Sequence, residues 1–106
     1  MSNHRSRALL NLAHRVTECQ NCGRYTEGCE PAHQNGQEGG KGIAVKGADH
    51  RHAALCHDCH AWLDQGGKAS PCGQWRATRD DKHTMWIRAH LRTYDYYWGQ
   101  GWLKVA

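Results

Sequence analysis

A chain of 106 residues carrying a formal charge of +4 points to one domain and leaves limited apolar surface to bury. Only 39% of its residues are apolar, phenylalanine is absent, and twelve glycines raise the entropic cost of folding, so a staple is expected to supply part of the stability. No run of about 18 apolar residues marks a membrane span and no apolar stretch follows Met1 as in a signal peptide; the expected setting is the cytoplasm, where thiols stay reduced. The mild basic excess is compatible with a nucleic-acid partner without establishing one.

In chain order, residues 6–18 read as a helix, with Ala8, Leu9, Leu12, Ala13 and Val16 at helical spacing and Ser6 as its cap. Residues 19–30 form a turn-rich knuckle, and residues 31–34 a short extended segment. The glycine-rich stretch 35–47, which carries Lys41 and Lys46, reads as a loop outside any core. Residues 51–55 are expected to form a second strand running into Cys56. A helix starts near His57 and stops at Gly66-Gly67. Residues 68–78 are irregular. The last element spans about 80–98, with Asp80 and Asp81 suited to a helix N-terminus. Ile87, Leu91, Tyr94 and Trp98 step by four, three and four along what is expected to be its apolar face. Trp102, Leu103 and Val105 are expected to fold back as an anchor.

Cys19-Gln20-Asn21-Cys22 and Cys56-His57-Asp58-Cys59 are two C-x2-C pairs. Each such turn lets two thiolates meet one ion at about 2.3 Å, and two turns complete a tetrahedron, which suits a structural Zn²⁺ with no redox chemistry. Such a centre carries a local charge of about −2. Cys29 is an alternative to Cys22 as a ligand, although the C-x2-C spacing favours Cys22; Cys72, in a Pro-Cys-Gly turn, has no assigned role.

Two histidine groupings carry further chemistry. His33 follows the first extended segment, and His60 and Asp64 are four apart, so a helix puts both on one face. A nitrogen and an oxygen there can hold one ion while leaving positions for water and phosphate. Histidine is also the side chain whose ordinary pKa suits general-base work near neutral pH.

These residues together resemble the HNH, or ββα-metal, nucleases, most closely the short four-cysteine members of bacteriophages and prophages. The pattern is a C-x2-C, a histidine ending the first strand, a glycine-rich loop, a second strand, and C-x2-C-H opening a helix. It covers roughly 19–65: Cys19/Cys22, His33, 35–47, 51–55 and Cys56/Cys59/His60. The resemblance implies that His33 is the general base and that His60, joined by Asp64, ligates a catalytic Mg²⁺ or other divalent ion. The family's middle position, often Asn, holds the catalytic histidine; Asp49 is the candidate here, with His50 and His52 as alternatives. Many members carry Asp before the first histidine, where this chain has Ala32.

The expected fold is therefore a small α+β domain with a ββα-metal core, a four-cysteine zinc knuckle, and flanking N- and C-terminal helices, all in one domain over 1–106. The expected function is metal-dependent DNA endonuclease in phage or prophage DNA metabolism, in the cytoplasm of a bacterial host cell. DNA is the expected partner, contacted by Lys41, Lys46 and Arg51. The alternative is a non-catalytic zinc module that binds DNA or a protein.

Overall fold

The computed structural model describes residues 6–34 and 48–103. They form a small α+β unit in the order α1 (Arg7–Ala13), β1 (Glu30–His33), β2 (His52–Leu55), α2 (His57–Gln65) and α3 (Arg79–Gly99). No described helix is long and apolar enough to cross a membrane. The stretch 35–47, with Lys41 and Lys46, and Val105 lie outside the described residues.

α1 begins where the sequence suggests: the Ser6 hydroxyl accepts the Leu9 amide at 3.2 Å, satisfying one of the donors a helix start leaves unpaired. It ends earlier than expected. The amides of His14, Arg15 and Val16 fold back on carbonyls three residues earlier, tightening the last turn. This brings Val16 to full burial and frees the chain for the knuckle, whose edges are tied by an isolated bridge between Glu18 and Tyr25. Gly23, at φ +75°, closes the turn after Cys22 in a backbone region that favours glycine.

β1 and β2 are antiparallel, with Glu30 opposite Leu55, Pro31 opposite Ala54, Ala32 opposite Ala53 and His33 opposite His52. Alternation along a strand assigns the two faces. Glu30, Ala32, Ala53 and Leu55 share one, which packs on Cys56, Cys59, Trp62 and Leu63 of the α2 region and on Met85, Trp86 and Ala89 of α3. Pro31, His33, His52 and Ala54 share the other, where Ala54 packs with Ala13, Val16, Cys29 and Tyr97. Trp102 and Leu103 also pack against that second cluster, as the C-terminal anchor reading expects.

A two-stranded sheet of this length is marginal alone, and its outward backbone groups need partners. α3 supplies most of them for β2. The Thr93 hydroxyl accepts the Ala54 amide at 2.9 Å and donates to Ala89 O at 2.7 Å, and His90 Nδ1 donates to the His52 carbonyl at 2.8 Å. The knuckle supplies the rest, through Gln20 N to Ala54 O at 3.0 Å. Because both backbone groups of Ala54 point away from β1, the nitrogen of its partner Pro31 also faces away from the ladder, where lacking an N–H costs nothing.

The buried face of α3 is rotated from the expected one. Met85, Trp86, Ala89, Thr93 and Tyr97 are buried, whereas Leu91 and Trp98 are 60% and 50% exposed. The reason is the sheet edge: a helix that must approach β2 closely and bond to it needs Ala89, Thr93 and His90 there, and a purely apolar pattern does not register them.

Thr93→Val keeps the shape of the side chain but leaves the buried Ala54 amide without its acceptor. Urea unfolding should show a loss of about 1–3 kcal/mol, with Thr93→Ser closer to wild type; equal midpoints for wild type and Thr93→Val would refute the edge-sealing role.

Candidate functional site

The four cysteines converge. Cys19 and Cys22 come from the knuckle, Cys56 from the end of β2 and Cys59 from the first turn of α2, and their sulfurs all lie within 4.8 Å of one another. Sulfurs on one tetrahedral zinc at about 2.3 Å stand about 3.8 Å apart; Cys22 Sγ and Cys56 Sγ are 3.9 Å apart. That is too long for a disulfide, and all six cysteines are free. The donor set therefore fits a metal ion such as Zn²⁺. Crowding four sulfurs also divides them electrostatically. The bond from Cys59 draws Cys19 down to about 4, while burial pushes Cys56 up to about 11. A divalent cation resolves this by accepting every sulfur as thiolate.

Neighbouring groups support the cluster. The Cys59 amide points at Cys56 Sγ at 3.5 Å, and Asn21 Nδ2 donates to Cys59 Sγ at 3.3 Å. The Asn21 carbonyl is in turn fixed by the Trp75 indole N–H at 3.0 Å, so the irregular stretch before α3 holds an outer partner of the thiolates, a role the sequence does not reveal. Cys29 is not part of the cluster. It is fully buried on the other side of the sheet with Val16 and Tyr97, its thiol donates to Glu18 O at 3.5 Å, and burial raises its pKa to about 12. The choice of Cys22 over Cys29 is settled by this placement. Cys72 is exposed, 3.3 Å from Ser70 Oγ.

His33, at the end of β1, points to Asp49. Its Nε2 lies 3.1 Å from Asp49 Oδ1, with the histidine side chain 17% exposed and the aspartate 7%. An ionised Asp49 accepts a hydrogen bond from Nε2–H, which leaves Nδ1 as the ring nitrogen with the lone pair. Asp49 is anchored from both sides: Oδ2 accepts the Ser6 amide at 2.6 Å, and its carbonyl accepts from His52 Nδ1 at 2.7 Å. His52 is fully buried. Because Nδ1 donates, Nε2 must accept, and the Tyr97 hydroxyl donates to it at 2.8 Å. Tyr94 fixes the adjacent turn through its hydroxyl to His50 O at 2.6 Å. Of the three candidates for the partner of His33, Asp49 makes the contact, His52 supports it from beneath, and His50 contributes its backbone carbonyl.

Burial, opposed by the bond to Asp49 O and reinforced by nearby His33 and His90, pushes the His52 pKa down to about 4. The His33, His52 and Asp49 group is thus a buried imidazole held neutral beneath a partly exposed imidazole–carboxylate pair.

On α2, His60 and Asp64 do come together, with His60 Nε2 3.4 Å from Asp64 Oδ2. His60 has a second carboxylate partner. Its Nδ1 lies 2.8 Å from Glu30 Oε1, and the other oxygen of Glu30 is 3.0 Å from His57 Nδ1. Burial works against ionisation of Glu30, but the two imidazoles outweigh it and hold its carboxyl below the usual range. Glu30 escaped the sequence reading because only the register, with Glu30 opposite Leu55, brings the start of β1 beside the start of α2. His33 does not join this group: three residues beyond Glu30 on a four-residue strand, it leaves the sheet on the opposite face. Arg51 is exposed beside the start of β2, and Lys41 and Lys46 lie outside the described residues.

Comparison with protein-family models, with curated proteins and with solved structures returns no match to this chain, so the chemistry rests on the residues themselves.

Elemental analysis should find about one zinc per chain, and chelation should unfold the domain, because metal binding contributes directly to folding. Cys22→Ser should lose the metal, whereas Cys29→Ser and Cys72→Ser should keep it; zinc retained in Cys22→Ser would overturn the ligand set. A separate pH effect follows from His52. Its folded pKa lies below the ordinary value of 6.5, so the unfolded chain takes up a proton that the folded chain refuses. That contribution to stability is full above about pH 6.5 and is lost as the pH falls toward 4, with a ceiling of order 3 kcal/mol at about 1.4 kcal/mol per unit. Urea midpoints measured from pH 7 to pH 5 should fall more steeply for wild type than for His52→Gln; parallel curves would show that His52 does not carry the effect.

Proposed function

We propose that this chain is a zinc-braced, divalent-metal-dependent DNA endonuclease of the HNH type, acting in phage or prophage DNA metabolism in the cytoplasm of a bacterial host. The observation that carries the reading is the His33–Asp49 pair. A histidine at the end of the first strand, partly open to solvent, bonds through one nitrogen to a buried carboxylate whose other oxygen is held by the Ser6 amide and whose backbone carbonyl is held by His52. That is the arrangement of an oriented general base.

In this mechanism Asp49 accepts a hydrogen bond from His33 Nε2–H, fixing ring orientation and tautomer. Nδ1 then takes a proton from the water that attacks the phosphodiester phosphorus, and Asp49 stabilises the imidazolium that forms. His60 and Asp64 serve as a nitrogen and an oxygen ligand for the hydrolytic ion. That ion, Mg²⁺ or another divalent cation, would supply positive charge to the scissile phosphate and the departing oxygen when bound. Arg51, with Lys41 and Lys46, contributes phosphate contacts. The four cysteines hold the knuckle against α2 and have no direct part in the reaction.

The second reading, a non-catalytic zinc module binding DNA or a protein, is favoured by one specific observation. His33 and His60 lie on opposite faces of the sheet, whereas a base and an ion acting together must reach one phosphate. Hydrolysis therefore requires the phosphate to sit across an end or edge of the strand pair.

Nicking of supercoiled plasmid by the zinc-loaded protein, with Mg²⁺, Mn²⁺ or chelator, separates the two. Wild type should cut only with added metal, and His33→Ala should lower the rate by about 10²–10⁴ with zinc content unchanged. Wild-type protein that binds DNA with a steep salt dependence but never cuts would establish the module reading. Cleavage by His33→Ala at the wild-type rate would remove His33 as the base.

A further inference from the structure

His60 is the one described imidazole held between two carboxylates, one at each ring nitrogen. Glu30 Oε1 is 2.8 Å from Nδ1 and Asp64 Oδ2 is 3.4 Å from Nε2. The two contacts are not equivalent. The first is a short hydrogen bond in which Nδ1–H donates to Glu30, and it fixes the tautomer with the lone pair on Nε2. In the neutral ring Nε2 is then the nitrogen that faces Asp64 Oδ2, at 3.4 Å. Adjacent ligand atoms on one octahedral ion at 2.0–2.1 Å stand about 3.0 Å apart, so the gap lies within a small side-chain adjustment of a shared cation.

We propose that Glu30 is a positioning residue that makes His60 a metal ligand: its carboxylate holds Nδ1–H, so that Nε2, together with Asp64, takes a divalent first-row transition ion. The inference rests on the reading of His60 and Asp64 as ligands of the hydrolytic ion, and adds to it the residue that prepares the site and the class of ion it takes. A ligating histidine ordinarily donates its other N–H to a carboxylate or carbonyl, which orients the ring and raises its basicity. Glu30 meets that requirement from β1. Glu30 is itself steadied by His57 Nδ1 at 3.0 Å on its second oxygen. With one nitrogen ligand the site favours Mn²⁺, Fe²⁺ or Co²⁺ over Mg²⁺, whose preference is for oxygens alone. Two protein ligands leave the remaining positions to water and phosphate. A merely structural Glu30, by contrast, would tie β1 to α2 and leave metal affinity untouched.

The test is a titration of the full-length, zinc-loaded protein with Mn²⁺, following free Mn²⁺ by electron paramagnetic resonance, for wild type, Glu30→Ala, Glu30→Gln and His60→Ala. Wild type should show one Mn²⁺ site beyond the zinc, and His60→Ala should lose it. Glu30→Ala should weaken it by about 10–100-fold. Glu30→Gln, whose amide oxygen still accepts from Nδ1–H, should recover part of that loss. Zinc content and urea midpoints, measured alongside, should stay near wild type in Glu30→Gln. Wild-type Mn²⁺ affinity in Glu30→Ala overturns the role of Glu30 while leaving the endonuclease reading to the plasmid assay and His33→Ala. Absence of any Mn²⁺ site in wild type overturns this inference and the ion assignment together.

Discussion

Two strands of four residues cannot hold themselves together in water, and the rest of this structure follows from how their backbone is sealed. α3 lies along the outer edge of β2 and answers it group by group. Thr93 takes the Ala54 amide, His90 takes the His52 carbonyl, and Gln20 of the knuckle completes Ala54. From the α2 side, the Trp86 indole N–H reaches Ala32 O at 2.8 Å. Side-chain donors and acceptors from a helix thus do what a third strand would do. Because α3 touches both layers, its first half closes one core with Met85, Trp86 and Ala89, and its second half closes the other with Tyr97.

The four-cysteine cluster solves a different problem. The knuckle has few apolar side chains and is tied only by one isolated bridge and scattered backbone bonds, and α2 is only nine residues long. Drawing two sulfurs from each onto one point ties the chain before β1 to the chain after β2, closing the two-stranded sheet from its α2 end. Asn21 and Trp75 extend the tie to the irregular stretch leading into α3. With a metal ion bound there, a domain short of apolar residues would gain a rigid corner that packing alone does not supply.

On this frame sit two polar groups of different character. The Asp49 group is deep: His52 is buried and neutral, Tyr97 fixes its tautomer, and the backbone of residues 49–50 is held by His52 and Tyr94. It is a preorganised support, and the half-buried His33 is its outlet. The Glu30, His57, His60 and Asp64 group is shallower and more open to solvent. The sheet separates them, and any substrate served by both must reach around the strand ends.

The sequence by itself determined most of the elements and the four cysteines that could hold a metal ion. C-x2-C spacing is a local geometric property, so Cys19, Cys22, Cys56 and Cys59 were legible without a fold, as were the Ser6 cap, β2, α2 and the acidic start of α3. What only the tertiary structure decided are the relations between segments distant in the chain. The burial of Thr93 and Ala89 in place of Leu91 and Trp98 depends on a sheet edge that no helical periodicity encodes. The contact of Asp49 with His33, and the support of both by His52 and Tyr97, depends on the strand register and on where α3 crosses it. Glu30 meets His60 only because antiparallel pairing returns the end of β2 to the start of β1. Local spacing is written in the sequence one residue after another; the placement of polar partners across an interface is fixed by packing, and appears only when the packed elements are seen together.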